Sequence, residues 1–305
     1  MDPFFIVGVS RSGTTFLYHL LNAHPQFRLS YEGRLFTEGW QCYRRYDDLK
    51  SRDQFDRLLS DLIACDRDES LNRWLGDDVA SAKTLLFEQH TRQPSFTGLI
   101  KQIYQLPGPA AIWGNKMLRI EMAPDILKHW PNARFVALVR DPRAVYASQK
   151  KFFPNRRLKY SGMYWNIHTG AIADHELPEE QIMVLRYEDF VEDAPAQLEK
   201  ILTFAGQWDA SIAAEMLKAH PASPASIGKW RDGLNDREVQ TIEEICFDRM
   251  QQFGYQPELA KSSVRLGTFT KAVETVLDNK ARIPRSLAEC KNKKVLNRFW
   301  QTIRH

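Results

Sequence analysis

Long apolar runs are missing from this chain of 305 residues, since no stretch approaches the roughly 18 consecutive apolar residues of a membrane helix. Cysteine is also sparse: the four cysteines form no Cys-x-x-Cys pair, which argues against a structural zinc site and a dense disulfide framework. No internal repeat or signal-peptide pattern is present. If Met1 is the natural start, we expect a cytoplasmic protein, although a trimmed lumenal enzyme would read identically.

Strong charge of either sign is absent as well. The formal net charge is +4, with 43% hydrophobic and 26% charged residues, which is typical of a globular chain with a sizeable core. This charge suits an anionic ligand without identifying one. The densest basic run, residues 150–159 (KKFFPNRRLK), is too short to favour nucleic-acid binding, and we interpret it as a solvated loop near an acceptor cleft. His19 and His24 are wrongly spaced for a helical metal pair, so we expect no metal.

Buried strands alternate with helices along the chain. Residues 4–9 (FFIVGV) form an unbroken apolar run that predicts a strand buried on both faces, and residues 14–23 predict the helix that follows. Residues 133–139 and 182–187 repeat this pattern, and residues 111–120 predict a further strand with its outgoing loop. The alternation predicts an α/β three-layer sandwich with a mostly parallel central sheet.

We predict a single domain over residues 1–305. Its core comprises residues 1–36 and 111–257, and residues 37–110, which lack a clear strand pattern, form a helical cap inserted over the sheet. Asn235 and Glu238 resemble a capping box that opens a helix running to Gly254. Residues 258–305 form a basic, weakly patterned helical tail.

The turn after the first strand has the glycine spacing of a P-loop, with four residues between Gly8 and Gly13. A triphosphate P-loop would continue with Lys-Ser or Lys-Thr, but Arg11 is the only cation here. Backbone amides and the positive end of a helix dipole suit an anion at such a turn, although a tight turn chosen for packing is the alternative. The predicted anion-binding residues are Arg11, Ser12, Gly13, Thr14 and Thr15.

This loop, followed by Leu20-Leu21 and His24-Pro25, resembles the 5′-phosphosulfate loop of sulfotransferases that use 3′-phosphoadenosine 5′-phosphosulfate (PAPS). Its arginine is most similar to that of tyrosylprotein sulfotransferases and their bacterial relatives. A second segment, VRDPRAVYAS, resembles the family's 3′-phosphate site, in which an arginine ends a strand and a serine follows eight residues later. The resemblance implies that Arg140 and Ser148 bind the 3′-phosphate; the alternative is a local Arg140–Asp141 ion pair.

Three shorter segments extend the resemblance to about residue 230. The stretch around Tyr187 (RYED) resembles the family segment whose tyrosine helps enclose the adenine. Ser226, Lys229 and Trp230 resemble the late "SxxKW" segment that closes over the cofactor, and Lys116 stands in a weaker match to "GEKTP". Taken singly, each match could equally be a buried aromatic residue or a surface lysine.

Glu32 lies seven residues beyond Pro25, where tyrosylprotein sulfotransferases carry the glutamate thought to deprotonate the acceptor. The alternative is an ion pair with Arg28 or Arg34. The resemblance implies in-line transfer of a sulfuryl group from PAPS to a hydroxyl or amine. Glu32 would be the general base, Arg11 and Lys116 would stabilise charge, no metal would be required, and the nucleotide product would be adenosine 3′,5′-bisphosphate.

Two other functions fit parts of the pattern: a P-loop nucleotide kinase with a degenerate loop, and a non-catalytic nucleotide-binding module. The 3′-phosphate motif counts against the kinase, because ATP has no such group. Small-molecule, carbohydrate, lipid and peptide acceptors all remain open, as does the oligomeric state.

Overall fold

Five parallel strands form the central sheet of the computed structural model, which describes residues 2–65, 70–117, 119–153, 155–268, 270–271 and 273–275. The sheet order is β2-β3-β1-β4-β5. The strands are β1 (Phe4–Gly8), β2 (Phe27–Tyr31), β3 (Ile112–Lys116), β4 (Arg134–Val139) and β5 (Ile182–Arg186). The predicted α/β class with a parallel sheet is confirmed.

Helices cover both faces of this sheet. Their bounds are α1 (Thr14–Asn22), α2 (Leu35–Tyr43), α3 (Arg52–Ala64), α4 (Ser70–Leu75), α5 (Val79–Arg92), α6 (Phe96–Gln105), α7 (Ala123–Leu127), α8 (Pro142–Phe152), α9 (Leu158–Ala173), α10 (Tyr187–Glu192), α11 (Ala194–Ala205), α12 (Ala210–Ala219), α13 (Trp230–Gly233) and α14 (Asp236–Gln252). Short 3₁₀ turns occupy Ile120–Met122 and Pro224–Ser226. Within the described ranges no helix is long and apolar enough to cross a membrane.

The period of two along β1 explains the three layers. Phe4 and Ile6 pack into the core formed with α1, α11 and α12, whereas Phe5 and Val7 pack into the core on the opposite face. All four side chains are at most 1% exposed, as expected of a central strand in a parallel sheet covered on both faces.

One strand was not predicted. Phe27–Tyr31 (FRLSY) pairs with β3 at the edge of the sheet. Phe27 and Leu29 are buried, whereas Arg28 is half-buried and donates to the carbonyl oxygens of Tyr104 and Gly108. The strand is short and its alternation is interrupted by polar residues, so it lacks the continuous apolar run that marks the other strands.

Helices α2 to α6 occupy the interval between β2 and β3, and their apolar faces share a core with Phe5 and Phe135 of the sheet. The division into a core and an inserted cap stays a prediction. Residues 276–305, which hold most of the predicted tail and Cys290, lie outside the described residues.

A buried ionic network fixes the start of α8. Asp141 caps the helix by accepting from the Arg143 amide, and its carboxylate also accepts from the Arg143 guanidinium. Arg143 donates in turn to Glu243 on α14 at 2.7 Å. Glu243 accepts three backbone amides, from Glu258, Leu259 and Ala260, which holds the chain beyond Tyr255 against α14.

Burial would raise the pKa of Glu243, but the backbone hydrogen bonds and Arg143 outweigh it, so the pKa is lowered from 4.5. Its stabilising contribution is therefore fully present above that value and is lost as the pH falls through the lowered pKa.

We predict that Glu243→Gln lowers the free energy of unfolding by about 3 kcal/mol at pH 7, the lower end for a broken buried ion pair, because Arg143 keeps Asp141 as a counter-ion. The gap in melting temperature between wild type and variant should narrow as the pH is lowered from 7 to about 3. Glu244→Gln is the control, since the Glu244 carboxylate accepts from the exposed Gln240 side chain on the same helix. A gap that stays constant over this range would contradict the ionic role of Glu243.

Candidate active site

The turn between β1 and α1 presents an open helix end. The Ser12 amide donates to the Val9 carbonyl at 3.0 Å, and Arg11 takes a φ of 76°. Gly13, the N-cap residue, supplies no side-chain acceptor to the first amides of α1. These amides and the helix dipole favour an anion at this position. Thr14 and Thr15, the first residues of α1, add hydroxyl groups beside them.

Glycine is required at both ends of the turn. Gly8 has a φ of +152°, and a Cβ atom there would lie 2.4 Å from the Leu138 carbonyl oxygen. Gly13 has a φ of +92°, and a Cβ atom there would lie 2.4 Å from the Tyr187 ring. The Tyr187 ring therefore lies directly against Gly13 of the predicted anion loop.

Two arginines brace the loop. Arg140 donates to the Arg11 carbonyl oxygen at 3.0 Å, and its guanidinium lies 4.3 Å from the centre of the Tyr187 ring. Arg11 donates from Nε to the Ser148 hydroxyl at 3.0 Å and stacks on Phe152 at 4.0 Å. Among the described residues, the Ser148 hydroxyl is therefore hydrogen-bonded to Arg11. The alternative Arg140–Asp141 pair is not formed, because Asp141 pairs with Arg143.

Glu32 and Lys116 form an ion pair at the ends of β2 and β3. The Lys116 ammonium donates to Glu32 Oε1, and the side chain of Lys116 is 2% exposed against 28% for Glu32. The Glu32 amide donates to the Lys116 carbonyl oxygen at 2.8 Å. The alternative partners are engaged elsewhere, since Arg34 pairs with Glu38 and Arg28 with backbone carbonyls.

Backbone strain is concentrated here. Among the residues that the structure describes, Arg11 (φ 76°) and Glu32 (φ 50°) are the two non-glycine residues with positive φ. Such conformations cost of order 1–3 kcal/mol each and cluster at active sites and ligand clamps. Both residues line the same cavity.

That cavity has a volume of about 800 Å³ and lies at the carboxyl edge of the sheet. Its lining includes residues of the loop, with Glu32, Lys116 and Arg140. It also includes Phe152, Phe153, Asn155, Arg156 and Tyr164. Four residues of the basic run 150–159 therefore line the cavity, while Phe152 and Phe153 remain 56% and 43% exposed to solvent. Burial raises the pKa of Tyr164 to about 12, so its phenol stays neutral.

Two smaller depressions adjoin the cavity, and Arg140 lines all three. One, of about 540 Å³, is lined by Ser148, Lys229 and Trp230. The other, of about 260 Å³, is lined by Tyr187, whose hydroxyl shares a 3.0 Å hydrogen bond with Ser226. Trp230 is 5% exposed and lies against the Arg143 guanidinium.

Among the buried polar atoms without a hydrogen-bond partner within the described ranges are Ser12 Oγ in the loop and Arg140 Nε beside it. Unsatisfied buried donors are costly in a folded protein, and an anion beside them would supply the missing acceptors.

Sequence reasoning missed Tyr31, Gln149 and Tyr164. Gln149 is buried and donates weakly to the Ser10 carbonyl at 3.4 Å. Tyr164 follows Tyr160 by one helical turn on α9, a repeat of aromatic residues that could have indicated a common face. Tyr31 ends the unpredicted strand β2, so nothing marked it as a neighbour of Lys116.

Known proteins resemble this chain as follows. A model of the sulfotransferase family matches residues 3–210. Carbohydrate sulfotransferase 3 of Tetronarce californica is 24% identical over 160 residues, which cover 41% of this chain and 36% of that relative. The chain thus matches about a third of the relative's length.

Solved structures share the fold. The sulfotransferase domain from the Synechococcus PCC 7002 olefin synthase has a TM-score of 0.54 at 20% identity, covering 84% of this chain and 96% of that domain. The sulfotransferase domain from the curacin biosynthetic pathway has a TM-score of 0.52 at 17% identity, covering 84% and 99%.

Proposed function

The chain belongs to the sulfotransferase family, and from this premise we propose that it transfers a sulfuryl group from PAPS to a hydroxyl or amine of an acceptor. One observation carries the proposal: Arg11, Lys116 and Arg140 line one cavity together with the carboxylate of Glu32. These three cations, with Arg156 as a fourth on the same cavity, and one candidate base suit a reaction in which an anionic group leaves and an acceptor loses a proton.

The donor would span the main cavity and the two smaller depressions, all of which Arg140 lines. Arg11, Ser12, Gly13, Thr14 and Thr15 would bind its 5′-phosphosulfate, because this loop combines an open helix end with a guanidinium. The unpartnered Ser12 Oγ and the N-cap Gly13, which supplies no side-chain acceptor to the first amides of α1, support this fit.

The other end of the donor would lie beyond Arg140. Arg140 and Ser148 would bind the 3′-phosphate, and Tyr187 would lie beside the adenine. Ser226, Lys229 and Trp230 would close over the nucleotide. The position of Arg140 on all three cavities supports its contact with the middle of the donor.

The absence of a P-loop lysine fits this donor. Triphosphate chemistry requires a lysine on the terminal phosphates and Mg²⁺. A phosphosulfate carries one phosphate bonded to a sulfonate of lower charge, and Lys116 would supply a cation to it from the end of β3 instead of from the loop.

Glu32 would accept the proton of the acceptor hydroxyl as the new S–O bond forms and the bond to the phosphate oxygen breaks. Lys116 has three N–H donors, one of which goes to Glu32, so the others can neutralise charge on the leaving oxygen and the sulfonate. Arg11 would share that role. The acceptor, whether small molecule, carbohydrate, lipid or peptide, would enter along Phe152, Phe153 and Tyr164.

Ligand choice tests the donor. Adenosine 3′,5′-bisphosphate, the product, should raise the melting temperature without Mg²⁺, because it binds the native state only. ATP with Mg²⁺ should raise it much less. Equal stabilisation by both, or stabilisation by ATP alone, would contradict the PAPS donor and favour a nucleotide kinase.

Arg140→Ala tests the 3′-phosphate site. Loss of a charge-assisted hydrogen bond, worth about 1.5–3 kcal/mol, should weaken adenosine 3′,5′-bisphosphate roughly ten- to a hundredfold in calorimetric titrations. AMP lacks the 3′-phosphate and serves as the control ligand, whose affinity should change little. If both ligands weaken alike, Arg140 acts through its support of Arg11 and Tyr187 rather than on the 3′-phosphate.

Glu32→Gln tests the general base. With a hydroxyl acceptor, kcat should fall about 10²–10⁴-fold, the usual contribution of such a base. The melting temperature should also fall, because the buried Lys116 ammonium loses its counter-ion. Retained binding of adenosine 3′,5′-bisphosphate shows that the fold persists. Glu38→Gln is the matched control, since Glu38 pairs with Arg34 on the surface. A Glu32→Gln variant with near wild-type kcat would show that the base lies elsewhere.

A further inference from the structure

We propose that Tyr31 is a positioning residue that holds Lys116 in place and ties it to the donor loop. This inference rests on the proposed function and concerns how the site is organised. Tyr31 lines the main cavity and ends β2, and two of its contacts reach groups that the proposed reaction uses.

The first contact is with the donor loop. The Tyr31 hydroxyl shares a 3.1 Å hydrogen bond with Thr15 Oγ1. A hydroxyl can donate one hydrogen bond while accepting another, so Thr15 can receive from Tyr31 and donate to a bound phosphate. Tyr31 would thereby fix the rotamer in which the Thr15 hydroxyl faces the anion.

The second contact is with Lys116. The ammonium lies 4.4 Å from the centre of the Tyr31 ring, on a side chain that is only 2% exposed. Cation–π attraction is strongest for such desolvated ammonium groups. A lysine stem is flexible, so an ammonium needs fixed neighbours to keep one position.

The backbone of Glu32 makes this arrangement possible. Tyr31 pairs in register with Lys116 across β2 and β3, so their side chains can lie side by side on one face of the sheet. In a regular strand the next side chain would point to the opposite face. Glu32 instead takes a φ of 50°, and its carboxylate reaches Lys116 as well. Consecutive residues thus enclose one ammonium between a ring and a carboxylate.

Because the Tyr31 ring holds Lys116, substitutions of Tyr31 should change the affinities for PAPS and for adenosine 3′,5′-bisphosphate to different extents. PAPS carries the sulfonate that Lys116 would contact, whereas adenosine 3′,5′-bisphosphate lacks it. Loss of the ring should therefore weaken PAPS more than adenosine 3′,5′-bisphosphate, whereas loss of the hydroxyl alone should weaken both alike through Thr15.

The test measures both affinities by calorimetry in the full chain. Tyr31→Phe should weaken both ligands about two- to tenfold, the effect of one hydrogen bond. Tyr31→Leu should weaken PAPS by a further factor of roughly three to thirty relative to adenosine 3′,5′-bisphosphate. Tyr46→Phe and Tyr46→Leu are matched controls, since the Tyr46 hydroxyl donates to Asp61 outside the three cavities.

A double-mutant cycle with Lys116→Met separates the effect of Tyr31 on Lys116 from general destabilisation of the protein. In the Lys116→Met variant, Tyr31→Leu should no longer change the ratio of the PAPS affinity to the adenosine 3′,5′-bisphosphate affinity. An unchanged ratio in Tyr31→Leu alone, or an equal change with and without Lys116, would overturn the inference. If the wild type binds neither ligand, the proposed function itself fails; if it binds both and the Tyr31 variants match it, only this inference fails.

Discussion

Parallel strand pairing is the constraint on which the candidate site depends. It directs the carboxyl ends of β1, β2, β3 and β4 to one edge, where the loop around Arg11 meets Glu32, Lys116 and Arg140. These residues come from four separate segments of the chain. The fold thus brings these three cations and one carboxylate to a cavity that Arg156 also lines.

Two non-glycine residues with positive φ, Arg11 and Glu32, set the geometry of the site. Positive φ at Arg11 turns the loop so that its carbonyl meets Arg140, and positive φ at Glu32 brings its carboxylate to Lys116. Hydrogen bonds hold both residues: the Arg11 carbonyl oxygen accepts from Arg140, and the Glu32 amide donates to the Lys116 carbonyl oxygen.

Local sequence signals predicted the parts of the site that depend on local structure. The glycine turn around Arg11 and the capped helix after Arg140 each depend on about ten consecutive residues. Their sequence motifs were therefore sufficient to predict them. The Glu32–Lys116 pair joins residues 84 positions apart. It depends on the register of β2, an edge strand whose short alternation was not recognised, and so neither this partner nor Tyr31 could be foreseen. Side-chain pairing across an unpredicted strand requires the three-dimensional structure.

The most direct measurement of the central claim follows the sulfuryl group itself. The protein is incubated with PAPS and a metabolite extract from its source organism, and mass spectrometry searches for compounds that gain SO₃. The account predicts at least one such compound, with adenosine 3′,5′-bisphosphate formed in equal amount and without added metal. Unchanged PAPS, with no compound that gains SO₃, would contradict it.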